Sequence, residues 1–204
     1  DMLSAAAEAL DIEKQNAFTG RTSKRLIPRK TEKTACGKVT AKQLSAMTMN
    51  GYKTYLPEYE KIYLLSDSFM AGSDIFLRDI CDSAVRKGYD VIVSRGPLCT
   101  EMYYEHVLIP ELGTAFISSG CINNITVESS KKVINFRRFY VPQPMIKQRL
   151  RFGKKAASEM IREAASAMQS AKDIHDTLEK YYVSAADFDS LNTHSYTLSS
   201  PIKS

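Results

Sequence analysis

Apolar and polar positions follow a definite order along residues 62–93. A short apolar run, Ile62 to Leu65, predicts a buried strand. A small polar loop comes next. Ile75, Phe76, Ile80 and Ala84 then recur at helical spacing, and Gly88 closes the helix. A second apolar run, Val91 to Val93, completes a strand–loop–helix–strand unit. Two further runs, Val107 to Leu112 and Thr114 to Ile117, meet around Gly113 and predict a hairpin. Pro110 requires its strand to lie at an edge or to end there. Lys132 to Phe136 alternates enough to be another strand, and Pro142 and Pro144 punctuate the chain after it.

The flanks carry weaker patterns. Residues 2–16, rich in Ala and Leu, predict a short helix. Residues 17–38 are polar and basic, interrupted by Gly20, Pro28 and Gly37, and read as a linker. Residues 39–49 suit an extended edge strand, Asn50-Gly51 a turn, and residues 53–59 one or two helical turns. The longest helical pattern covers residues 145–182. There Ala157, Ile161, Ala164, Met168, Ala171, Ile174, Leu178 and Tyr181 recur at three- and four-residue steps. The result is a narrow stripe with small residues, suited to close helix packing, and Gly153 is expected to bend or break it. After Asp187 the chain is rich in Ser, Thr and Asn and reads as a mobile tail. The expected division is an N-terminal helix and basic linker over 1–37, one domain over 38–188, and a flexible tail over 189–204.

Composition narrows the class. A chain of 204 residues, 44% hydrophobic, suits one domain with extended flanks. No apolar run approaches the roughly 20 residues that span a bilayer, so no membrane partner is expected. No basic start followed by an apolar stretch marks a secretory signal. The chain opens on Asp1 and not on Met, as a trimmed or partial chain would. Cys36, Cys81, Cys99 and Cys121 match no zinc spacing and His is scarce, so these read as reduced thiols of a cytoplasmic protein. Cys81 is expected to be a small buried hydrophobe on the helix. The net charge of +5 is uneven. Residues 21–42 hold Lys and Arg against Glu32 alone, and residues 131–155 hold them with no acid. Such clusters are solvated surface or phosphate-binding patches. The second also contains Phe136, Phe139, Tyr140 and Phe152, which allows nucleic-acid binding by stacking.

Three stretches carry a family resemblance: the unit ending Arg86-Lys-Gly-Tyr-Asp-Val91, the phrase Val107-Leu-Ile-Pro-Glu-Leu-Gly113, and the helix phrase Ile174-His-Asp-Thr-Leu-Glu-Lys-Tyr-Tyr182. Over about residues 38–188 the chain resembles an uncharacterised group of bacterial P-loop ATPases, often built from two nucleotide-binding units in tandem. The resemblance implies an α/β fold: a P-loop NTPase-like, three-layer, parallel-rich sheet with a long C-terminal helix packed on it. It also implies a Walker A loop, G-x-x-G-x-G-K-S/T, between the first strand and the helix. Laid on this chain, that loop runs through Asp67, Ser68, Met70, Ala71, Gly72, Ser73 and Asp74. Asp67 and Met70 stand at the first two Gly positions and Gly72 remains. Ser73 stands at the Lys position and Asp74 at the Ser/Thr position.

Each replacement has a physical meaning. Glycines let backbone N–H groups approach phosphates. The lysine supplies charge to the β- and γ-phosphates, and Ser73 cannot. A carboxylate at Asp74 suits a metal, but it also sets negative charge where a phosphate would sit. Acids are favourable helix starters in their own right, so Asp67, Ser73 and Asp74 read as a helix start that caps itself. Where a Walker B acid would follow the strand at 114–118 there are Ser118 and Ser119. Glu111, the nearest acid, is expected to serve its turn. His175 and Glu179 share a helix face with Asp176 nearby, and read as a hydrogen-bonded pair beside the stripe, short of a metal site. His106 and His194 are isolated, and no Ser/His/Asp order points to a hydrolase.

The expected function is therefore non-catalytic and without cofactor: a degenerate P-loop-like domain kept as a structural or interaction module. Its partner would be an active nucleotide-binding copy, in the same parent chain or another. One alternative is an ATP- and Mg-dependent ATPase or kinase-like protein, with Lys61 or Arg95 reaching the loop. Another is nucleic-acid binding through residues 131–155, with Arg137 and Arg138 as its test positions. Homo-oligomerisation stays open, and the exposure of the long helix decides it.

Overall fold

The computed structural model describes residues 2–30, 35–56, 58–98, 103–125 and 132–186. Cys99, Lys131 and the tail after Asp187 lie outside the described residues. Helices α1 (Met2–Glu8) and α2 (Ile12–Leu26) lead into β1 (Val39–Ala41) and a hairpin of β2 (Ser45–Thr48) and β3 (Gly51–Thr54). β4 (Lys61–Ser66), α3 (Ala71–Arg86) and β5 (Val91–Arg95) form the unit foreseen in the sequence. β6 (Tyr104–Ile109), β7 (Thr114–Ser119), β8 (Lys132–Asn135) and the 42-residue α4 (Pro144–Ala185) follow.

The fold is α/β. Six strands form one sheet in the order β1-β5-β6-β7-β4-β8. β6 runs antiparallel to β5 and β7, and the other pairings are parallel. Pro110 ends β6, which is an interior strand, and a short 3-10 helix (Pro110–Leu112) and Gly113 at φ 53 turn the chain into β7. Side chains alternate between the two faces of the sheet. Tyr63, Leu65, Val107, Ile109 and Phe116 face α1, α2 and α3 in the larger core. Leu64, Leu108, Ala115 and Ile117 face the other way, where Leu44, Leu56 and Tyr59 cover them. Among the described residues helices thus cover one face, and the second is covered by Leu44, Leu56 and Tyr59 together with Ile125.

Three expectations are corrected. Residues 17–26 are not linker: α2 continues to Leu26, and Phe18 stacks on Phe76 of α3 at 6.1 Å and lies 5.4 Å from Phe139. Residues 53–59 hold no helical turn among the described positions, because Gly51–Thr54 pair with β2. α4 neither breaks at Gly153 nor packs along the sheet. A Cβ at Gly153 would stand 2.8 Å from the Met2 side chain, so the glycine makes room for α1. Along α4 only Leu150 is buried.

Candidate functional site

The loop between β4 and α3 is built around one carboxylate. Asp67 is fully buried. Its Oδ1 accepts the Phe69 N–H at 3.1 Å and its Oδ2 accepts the Ser73 N–H at 2.7 Å. The Tyr140 hydroxyl donates to the same carboxylate, 3.0 Å from Oδ1, and accepts the Gly72 N–H at 2.8 Å. Met70 and Asp74 complete the turn, their N–H groups going to the Asp67 and Met70 carbonyls. The N–H groups at the positive end of α3 thus face an internal carboxyl group. Burial pushes the Asp67 carboxyl above the usual range, while the Ser73 and Phe69 amides and the Tyr140 hydroxyl pull it back. Burial and the adjacent Asp67 together hold Tyr140 well above the ordinary tyrosine range, so it stays a protonated donor.

The remaining loop residues fit the same closure. Met70 takes φ 68, the left-handed conformation suited to glycine, and its side chain is buried. Gly72 is tightly enclosed: a Cβ would lie 3.0 Å from Gln15 and Phe136 and 3.2 Å from the Tyr140 hydroxyl, so those side chains would have to give way. Its carbonyl accepts from Gln15 Nε2 at 2.7 Å, so this glycine serves packing against α2. Ser73 donates to the Met70 carbonyl at 3.1 Å and receives the Ser118 hydroxyl at 3.1 Å. Asp74 accepts the Tyr104 N–H at 2.7 Å and pairs with Arg78 at 3.0 Å. Burial raises its carboxyl and those two partners oppose the shift. Ala71 is buried, and Ser68 is the exposed member of the seven.

Neither cation considered as a substitute for the loop lysine is well positioned. Lys61 opens β4, at the opposite end from the loop. Arg95 ends β5, three strand spacings or about 14 Å across the sheet. The outer ends of the strands are also covered. Open α/β sheets bind ligands in the crevice beyond the carboxyl ends of their strands. Here the β2–β3 hairpin crosses that edge, with the Leu44 N–H on Ser94 and Ser45 on His106 at 3.2 Å.

Under the hairpin lies a polar network that the sequence pattern did not single out as a site. Glu105 Oε1 accepts from Tyr52 at 2.9 Å and from Asn123 at 2.8 Å. Asn123 in turn accepts from Thr54 at 3.0 Å. His106, described in sequence terms as isolated, is fully buried, and its Nδ1 accepts the Ser118 N–H at 3.2 Å. A backbone N–H can only donate, so in the neutral ring the proton sits on Nε2, facing Ser45 Oγ and, at 3.5 Å, Glu105 Oε2. That tautomer cannot take a proton from Ser45, so the trio is not a nucleophile–base relay. Burial pushes His106 down to about 3 and raises Glu105 against its Ser45, Tyr52 and Asn123 bonds. The signal available in the sequence was two polar residues inside an otherwise apolar strand.

The other candidates scatter. Glu111 pairs with Lys30 at 2.7 Å. His175, Asp176 and Glu179 bring donor atoms within 4.8 Å of one another, but all come from adjacent turns of one outward helix, and Lys172 already pairs with Asp176. In the basic 131–155 cluster Phe136, Phe139 and Tyr140 are buried and cannot stack on bases, while Phe152 is exposed. Arg138 lies over the Phe18 and Phe139 rings, and Arg149 pairs with Glu8 at 3.3 Å. Cys81 is buried as expected and its thiol is pushed up to about 11 by burial first and by Asp82 second. Among the described residues no helix is long and apolar enough to cross a membrane.

Fold and site together define an α/β domain whose strand–loop–helix turn is closed by its own side chains. No family model, curated protein or solved structure matches the chain.

Proposed function

We propose that this chain is a P-loop-like domain that has given up nucleotide binding and serves as a structural or interaction module, beside an active nucleotide-binding copy. One observation carries the reading: the Asp67 carboxylate sits within the loop and takes the N–H groups of Phe69 and Ser73, with Tyr140 taking that of Gly72. A phosphate would need those same donors. It would also be set against the carboxyl groups of Asp67 and Asp74 with no lysine in the loop, the neighbouring Arg78 being taken by Asp74. The hairpin over the carboxyl edge supports the same conclusion, because it covers the crevice where a ligand of an open sheet would lie.

Calorimetric titration of the whole chain with ATP and Mg²⁺ tests the reading. The expected result is no binding heat and no thermal stabilisation. One-site binding with a matching rise in melting temperature would overturn it.

A further inference from the structure

We propose that the free end of α4 docks antiparallel against the same helix of a second copy of this chain. The proposal rests on the interaction-module reading, since a domain closed to ligand acts through its surface. Beyond the β2–β3 hairpin, α4 keeps an apolar face that nothing in the described chain covers: Ile174 is 63% exposed, Leu178 52% and Tyr182 74%.

That face follows a seven-residue repeat. Its first core position holds Met168, His175 and Tyr182, and its second holds Ala171, Leu178 and Ala185. Bulky residues dominate one position and alanines the other. A parallel pair would stack bulky on bulky and Ala on Ala, alternating collisions with voids. An antiparallel pair sets the first position against the second in every layer. Met168 then meets Ala185 of the second copy, Ala171 meets Tyr182, and His175 meets Leu178. The overlap, residues 168–185, is about 26 Å long at 1.5 Å per residue.

Charge picks the same register. With His175 opposite Leu178, Lys172 faces Glu179 of the second copy, and by symmetry Glu179 faces Lys172. On the other flank Ile174 meets Tyr181. In a parallel pair Lys172 and Glu179 would instead flank apolar side chains and gain no partner. All four flanking residues are exposed in the single chain. Lys172 pairs there with Asp176 of its own helix, and in the dimer it reaches Glu179 of the second copy from that same exposed position.

The test is sedimentation equilibrium of the whole chain at about 100 µM, a concentration that reads weak association. Lys172→Glu, Glu179→Lys and their equimolar mixture are run beside the parent. The parent is expected to form dimers. Each variant alone should associate about tenfold more weakly, since like charges then oppose in both flanking pairs. The mixture should restore the parent's dimerisation, because every pair again has opposite signs. Circular dichroism checks that these surface changes leave the fold intact. A monomeric parent, variants that dimerise as the parent does, or a mixture that stays monomeric would each overturn the proposal. The readout uses no nucleotide, so its failure is separate from failure of the calorimetric test.

Discussion

Tyr140 and Asp67 are 73 positions apart in sequence and share one hydrogen bond at the heart of the loop. Tyr140→Phe removes both the donor to a buried carboxylate and the acceptor of the Gly72 N–H. Leaving such groups unsatisfied costs about 1–3 kcal/mol each, so urea denaturation should find the variant less stable by about 2–4 kcal/mol. A loss near zero would mean that the pair does not hold the loop. His106 gives a pH signature. The unfolded chain protonates it near its ordinary 6.5 and the folded chain near about 3. Its contribution to stability is therefore complete above pH 6.5 and is lost as pH falls toward 3. Asp67 and Glu105 are shifted upward and carry the opposite sign, losing stability as pH rises through their folded values. Only the difference isolates His106: the stability gap between parent and His106→Gln should shrink from pH 7 to pH 4, and a constant gap would contradict this. Of the three side chains expected to cap the helix start, Asp67 takes the loop N–H groups, whereas the Ser73 hydroxyl donates to the Met70 carbonyl and Asp74 bonds Tyr104 and Arg78. The part of Tyr140 was not legible, because nothing local to residue 140 says which loop its hydroxyl reaches.

The central β4–α3–β5 unit and the β6–β7 hairpin follow from apolar period and glycine placement, and both are visible in the chain order. α2 escaped because its inward face is polar. Gln15, Thr19, Thr22 and Ser23 are buried at helical spacing, yet they present no apolar stripe. Hydrogen bonds replace hydrophobic contact there: Gln15 on Gly72, Thr19 on the Gln15 carbonyl, and Ser23 on Ser83. Asp11 starts that helix by accepting the Lys14 N–H at 3.0 Å. Asp11→Ala should lower stability by about 1 kcal/mol, the usual worth of a cap, as a lower urea midpoint with an unchanged slope. An unchanged midpoint would mean that α2 is held by its packing alone. In α4 the helical period was legible, but the packing expected of its stripe is absent from Ala164 onward, because periodicity cannot say what a stripe meets. The helix runs from Leu150 in the core, past Gly153 against α1, to Tyr182 in solvent.

At the scale of the whole molecule, the sheet order separates β4 from β5 by two strands and inserts the antiparallel β6. Strand pairing of this kind depends on contacts distant in sequence, which a local pattern does not encode. The arrangement brings the hairpin, the polar network under it and the sealed loop to one edge, so the region that would receive a ligand is filled from both sides. The N-terminal helices belong to that assembly, since Ala5, Ala6 and Ile27 lie in the main core. The most direct measurement is residue-resolved: the amide resonances of Phe69, Gly72 and Ser73 followed by NMR while MgATP is raised to millimolar concentration. The closed loop predicts that all three stay in place. Saturable shifts at these amides would show that they give up Asp67 and Tyr140 for phosphate, and the account would fail.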